Sequence, residues 1–161
     1  MCIRDSCGFL SIFQKELSAA VRVPVLTSSL MQVSTVNTLL PDSKKAGILT
    51  ISKSTLSDAH LRAANVPSDT PIGTTEDGAE FSRVILNDEL QLNIELARMD
   101  NINAALKMKT DYPELGAIIL ECTNMSPFAE AIQEAVELPV FSIVNLVEWL
   151  HAGLKPKRFS S

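Results

Sequence analysis

Cysteine, histidine and large aromatic residues are scarce in this chain. Its 161 residues include three cysteines, two histidines, one tryptophan and one tyrosine, and aromatics make up 5%. So few rings, with no arginine–aromatic interleaving and a net charge of −5, exclude a base-stacking or phosphate-tracking surface, so no nucleic-acid partner is expected. No apolar run approaches bilayer-spanning length, and the first residues lack the apolar stretch of a secretory leader. No membrane partner is expected, and the protein is expected in the cytoplasm. The cysteines form no C-x-x-C pair or metal-ligand spacing, which argues against a disulfide framework or a metal centre. The six glycines form no phosphate-cradling loop, and no Ser-His-Asp set stands out.

What the chain does contain is a repeat. Shifted by 115 positions (122 − 7), residues 7–25 fall on residues 122–140 without a gap. Seven of these 19 positions are identical: Cys7/Cys122, Ser11/Ser126, Phe13/Phe128, Ala20/Ala135, Val21/Val136, Pro24/Pro139 and Val25/Val140. The second copy reads as a buried strand (116–121), a polar loop beginning at Cys122, an amphipathic helix opening at Ser126-Pro127, and a short strand at 138–141. The first copy has the loop, a helix at 9–21 and a strand at 23–26. Where its entry strand belongs stands the short charged segment 1–6, which is read as a foreign leader unable to supply a buried strand. An incomplete first unit is expected to expose apolar surface and leave the chain weakly stable, with negligible turnover.

Elsewhere, strands and helices alternate. A strand is expected at 46–51, a helix at 54–64 and loops around one short strand at 65–78. A long helix is expected at 89–110, with Leu92, Leu96, Met99, Ile102 and Leu106 at helical intervals. Such alternation predicts an α/β fold with a parallel sheet. Each repeated cysteine then lies just past the carboxyl end of a strand, where open parallel sheets bind ligands. His60 and His151 read as surface or interface residues, and Trp149 as core or lobe-packing surface.

Taken together, Ser6-Cys7-Gly8-Phe9-Leu10, Gly47-Ile-Leu-Thr-Ile51 and Leu120-Glu-Cys-Thr-Asn-Met125 resemble the aspartate/glutamate racemase superfamily, hydantoin racemases included, over residues 6–159. The resemblance implies two pseudo-symmetric, flavodoxin-like parallel-sheet lobes with one cysteine from each facing a shared cleft. Lobe two would cover 42–143, and residues 7–41 and 144–161 would be the remnant of a truncated lobe one. It also implies a cofactor-independent racemase or epimerase of an amino acid or amino-acid derivative, with Cys7 and Cys122 as paired acid and base. A thiol titrating near ~8.5 suits both roles after a modest downward shift. By the same resemblance Gly8, Ser52, Thr123 and Asn124 contact a small substrate bearing a carboxylate or amide, no cofactor is needed, and a homodimer is compatible. Glutamate racemases carry a histidine where this chain has Asn124, which argues against glutamate as substrate, and Ser142 stands where relatives often place an acid. The same scaffold also hosts maleate-type isomerases, arylmalonate-type decarboxylases and non-catalytic ligand-binding modules, and a redox pairing of the two thiols stays open.

Overall fold

A computed structural model describes the backbone of residues 3–4 and the whole of residues 8–158. The elements in chain order are β1 (Ile3–Arg4), α1 (Gln14–Ala20), β2 (Val25–Leu26), α2 (Val33–Leu39), β3 (Lys45–Thr50), α3 (Asp58–Ala63) and β4 (Ile72–Thr74). They continue with α4 (Phe81–Leu86), α5 (Ile94–Asp111), β5 (Leu115–Leu120), α6 (Ala129–Val136), β6 (Val140–Phe141) and α7 (Ile143–Leu154). The strands form an all-parallel four-stranded sheet, β4-β3-β5-β6, and a separate parallel pair, β1-β2. The α/β class with a parallel sheet is therefore as expected.

The two central strands, β3 and β5, are buried nearly throughout because helices cover both faces of the sheet. Side-chain alternation divides the core in two. Leu49, Ile51, Ile118 and Leu120 face Phe81, Ala97, Ala105 and Met108 of α4 and α5, together with Phe128 and Ile132. Ala46, Ile48, Ala117 and Ile119 face Leu30, Val33 and Val36, with Leu56, Ala64 and Val66 alongside. Phe81 is fully buried and meets Phe128 edge-on, with ring centroids 5.9 Å apart.

The sequence repeat is also a structural one. The 3-10 turn Gly8–Phe13 maps, at the same shift of 115, onto the 3-10 turn Thr123–Phe128, α1 onto α6, and β2 onto β6. The pairing register follows too: Ile3↔Val25 and Arg4↔Leu26 in one copy, Ile118↔Val140 and Ile119↔Phe141 in the other. Ile3–Arg4 forms a two-residue strand at the position the repeat demands, within the segment read as unable to supply a buried strand. Two residues suffice because a ladder needs main-chain N–H and C=O groups, which charged residues carry as well as apolar ones.

The copies differ in burial. Phe128 is 5% exposed and its counterpart Phe13 is 43% exposed. No residue of α1 is buried, whereas α6 packs against α5 and buries Ile132 and Val136.

Several other expectations are corrected. The helix placed at 54–64 begins only at Asp58, after Ser57 has capped it in a reciprocal pair with His60. The long helix starts at Ile94, where the Asn93 side chain accepts from the Glu95 and Leu96 N–H groups. Its buried residues are Ala97, Asn101, Ala105 and Met108, while Leu96, Met99 and Leu106 are exposed. Small residues let the helix approach the sheet closely, and the expected stripe of large side chains is rotated away from it. Pro127 lies inside the 3-10 turn, so α6 begins at Ala129. Helices α2 and α4 had no counterpart in the sequence reading. Trp149 is 72% exposed, on the wall of an apolar groove lined also by Val36, Phe141 and Leu150.

Truncating the largest buried ring tests the division of the core. Phe81→Ala is expected to cost about 3–5 kcal/mol, measured by urea denaturation, and a loss below ~1 kcal/mol would contradict its place between α5 and the sheet.

Candidate functional site

The carboxyl edge of the sheet gathers polar groups that the strands themselves exclude. Past β5 come Glu121, Cys122 and Thr123, and past β3 come Ile51 and Ser52. Because Leu49 pairs with Leu120, these two segments leave the sheet side by side. Cys122, half-buried, sits with extended backbone as the N-cap of the 3-10 turn Thr123–Phe128, and its carbonyl accepts from the Met125 N–H at 3.0 Å. The loop after β2 closes over the same edge. The Ser29 hydroxyl donates to the carbonyls of Leu120 (2.7 Å) and Glu121 (3.2 Å), and the Gln32 amide donates to the Ser142 carbonyl (3.0 Å).

Glu121 is the site's least expected member. The sequence reading treated it as the end of an apolar strand, yet it is a carboxyl group only 1% exposed. Its Oε2 accepts from the Thr50 hydroxyl at 2.9 Å and faces the Ile51 N–H at 3.5 Å. Its Oε1 is buried with no side-chain partner, against the main chain of Gly8. Burial pushes the Glu121 pKa up, and the Thr50 hydroxyl with the Ile51 and Gly8 N–H groups pulls it partly back. Its sequence signal was its position, a lone acid closing an otherwise apolar parallel strand.

The expected site residues are placed as follows. Gly8 is buried against the Glu121 carboxyl, and a Cβ there would lie 2.6 Å from Cδ, so a larger residue requires the Glu121 side chain to shift. Gly8 and the segment beginning at Glu121 thus bring the two repeat loops together. Cys7 lies outside the described residues. Thr123 presents a buried hydroxyl with no partner among the described residues, as does Ser126, while Asn124 is exposed. Ser52 turns toward β4, where Glu76 Oε1 accepts from its hydroxyl at 2.8 Å and from Ser54 at 2.6 Å. The Ser54 hydroxyl, then that of Ser52 and the main-chain N–H of Lys53, hold the Glu76 carboxyl below the usual range. Ser142 caps α7 in a reciprocal pair with Asn145. Among the described residues no cluster of three or more His, Cys, Asp or Glu could hold a metal ion, and no helix is long and apolar enough to cross a membrane.

No protein-family model matches the chain. It is 26% identical over 157 residues to a dimethylsulfoniopropionate lyase of Durusdinium sp. clade D, covering 94% of this chain and 52% of that one. Dimethylsulfoniopropionate lyases 5 and 3 of Emiliania huxleyi (strain CCMP1516) are 24% and 27% identical over 161 residues, again 94% of this chain, with 31% and 42% of theirs covered. The chain thus spans between 31% and 52% of the length of these curated relatives. Among solved structures it is similar to glutamate racemase isoform RacE1 from Bacillus anthracis (TM-score 0.60, 14% identity, 94% of this chain and 58% of that one). It is also similar to allantoin racemase from Pseudomonas fluorescens (TM-score 0.58, 14% identity, 99% and 71%). The fold is therefore racemase-like, and the relatives and structural neighbours alike are enzymes. The expectation of a racemase or epimerase is overturned, because the curated relatives are named as lyases. The physical reason is that a base beside an acidic carbon serves either reaction. Whether a leaving group sits on the next carbon is a property of the substrate, on which the repeat is silent.

The buried carboxyl gives a pH signature. A group whose folded pKa is raised binds its proton more tightly in the folded chain than in the unfolded one. Its stabilisation is therefore complete in acid, below the ordinary value of 4.5, and is lost as pH rises through the folded value. Glu121→Gln, neutral at every pH, is expected to gain stability relative to the parent as pH rises above the ordinary carboxyl value of 4.5, measured in thermal melts. A difference that does not change with pH would contradict the raised pKa.

Proposed function

We propose that this chain carries the reacting edge of a carbon–sulfur lyase that eliminates dimethyl sulfide from dimethylsulfoniopropionate. The observation that carries the reading is the similarity, along 94% of the chain, to lyases of that name. The site residues support it in kind. The substrate has a carboxylate at one end and a sulfonium on the β-carbon at the other. A thiolate at Cys122 removes a proton from the carbon next to the carboxylate, those electrons form the C=C bond, and the C–S bond breaks toward sulfur. Atoms and charge balance: the zwitterion becomes acrylate, neutral dimethyl sulfide and a proton held by the base. The departing sulfide needs no acid, so one thiol suffices for bond cleavage and the matched Cys7 completes the thiol pair.

The difficult step is deprotonation beside a carboxylate, because negative charge accumulates there. The Thr123 hydroxyl, which has no partner among the described residues, supplies with Asn124 the donors where that charge develops. In this reading the substrate is a small molecule that carries a carboxylate and a sulfonium.

The test is dimethyl sulfide release from dimethylsulfoniopropionate, followed by headspace gas chromatography. Cys122→Ala is expected to lower kcat by about a hundredfold to ten-thousandfold, and Thr123→Val to lower it by about a hundredfold. No release by the parent chain, or unchanged release by Cys122→Ala, would overturn the reading.

A further inference from the structure

The carboxyl edge of the sheet holds a second acid, arranged differently from Glu121. Glu76 lies two residues past β4 and is exposed, with both oxygens doubly held. Its Oε1 accepts from the hydroxyls of Ser54 (2.6 Å) and Ser52 (2.8 Å), and its Oε2 from the Lys53 N–H (3.0 Å) and the Thr74 hydroxyl (3.2 Å). A carboxylate has about four acceptor positions, so these donors occupy them all. None of the donors is a cation, and the group, held below the usual carboxyl range, keeps its full negative charge at neutral pH. The Lys53 ammonium is turned back along β4, where it donates to the Ile72 carbonyl at 3.1 Å.

Register places this charge at the reacting edge. Thr50 pairs with Thr74, and Leu49 with Leu120. Counted on from those pairs, Glu76, Ser52 and Thr123 stand level with one another past three neighbouring strands. Adjacent strands lie ~4.8 Å apart. The Glu76 carboxylate already crosses the first interval to reach Ser52, which leaves about one further interval to Thr123. We propose that Glu76 is a specificity-determining residue, whose carboxylate faces the sulfonium of the substrate and selects ligands that carry a fully alkylated positive charge.

The chemistry of the acid matches that of the ligand. A sulfonium is permanently positive and has no N–H or O–H to donate, so it is recognised by charge at contact distance. A carboxylate whose acceptor positions are filled by the protein suits such a group. A primary ammonium would find no lone pair left, whereas a fully alkylated cation needs none. Dimethylsulfoniopropionate separates its charges by two methylene groups, so its carboxylate can lie at Thr123 with its sulfonium toward Glu76. Ser52, expected from the sequence to touch substrate, acts here by holding the carboxylate that does. A clasp between two loops would use the same hydrogen bonds but would not need an exposed net charge.

The inference deepens the lyase reading of this site and rests on it for the ligand's charges, but its test reads binding, not turnover. The isotope-labelled full chain is titrated with β-alanine betaine, which carries a trimethylammonium in place of the sulfonium. It is titrated in parallel with the carbon isostere in which an uncharged tert-butyl group replaces that trimethylammonium. The Kd of each is read from amide chemical shifts, with the Lys53 N–H as local reporter. The parent is expected to bind the cationic ligand about fivefold more tightly, and Glu76→Gln to abolish that preference. Glu76→Asp, which keeps the charge on a shorter stem, is expected to retain the preference within about twofold. Asp77→Asn, the exposed acid one residue on, is expected to leave it unchanged. Both ligands are measured on each variant, so the ratio does not depend on the folded fraction.

No binding or no preference in the parent, a preference that survives Glu76→Gln, or its loss in Glu76→Asp or Asp77→Asn would each overturn the proposal. The expected pattern in a chain that releases no dimethyl sulfide would uphold it and count against the lyase reading alone. Release of dimethyl sulfide with the preference intact in Glu76→Gln would sink the proposal and leave that reading standing.

Discussion

A carboxyl group withdrawn from water at the end of a parallel strand constrains everything around it. Glu121 sits where β5 stops being a ladder and becomes a loop, and its oxygens cannot turn to solvent. Its free energy depends on what the neighbouring segments offer: a hydroxyl from Thr50, the main chain at Ile51 and a glycine pressed against it at position 8. Two of the segments that meet at this group, at Gly8 and at Glu121 itself, adjoin the repeated cysteines in sequence, and the third is the end of β3. Burying an acid is costly unless it is bonded, so the bonds specify the local arrangement of the loops as much as they stabilise it.

The repeat shows how one sequence pattern gives unequal structures. Both copies form the same 3-10 turn, helix and strand, at equivalent positions and in equivalent register. Only the second is embedded in the four-stranded sheet and covered by α5. The first rests on a two-stranded pair and leaves Ile12, Phe13 and Leu17 partly in water. Local sequence sets the turns and helix starts, and the amount of neighbouring sheet sets how much each copy buries.

Fold and chemistry separate in the same way. The architecture is shared with racemases, while the curated relatives are named as lyases. The two meet at the level of the elementary step. On the proposed reading, the thiol at the carboxyl edge of the parallel sheet takes a proton from carbon. Inversion needs a second proton delivered to the opposite face, whereas elimination needs a leaving group on the adjacent carbon. On the lyase proposal that leaving group comes with the substrate, and the protein's task is to stabilise the carbanion-like charge.

By itself the sequence determined the α/β class, the repeat, the burial of the strand that leads into Cys122 and the place of Cys122 past that strand's carboxyl end. These follow from local periodicity and from a self-comparison that needs no structure. The pairing of Ile3–Arg4 was not legible, because ladder bonds come from the main chain and leave little trace in side-chain identity. The buried face of α5 was not legible either, because close packing favoured Ala97, Asn101 and Ala105 over the larger Leu96 and Met99. Glu121 was passed over for a related reason: an acid at a strand's end is unremarkable until its surroundings are known. Only the tertiary structure brought Gly8, 113 positions away in sequence (121 − 8), against that carboxyl, and shut out the water that would otherwise have solvated it.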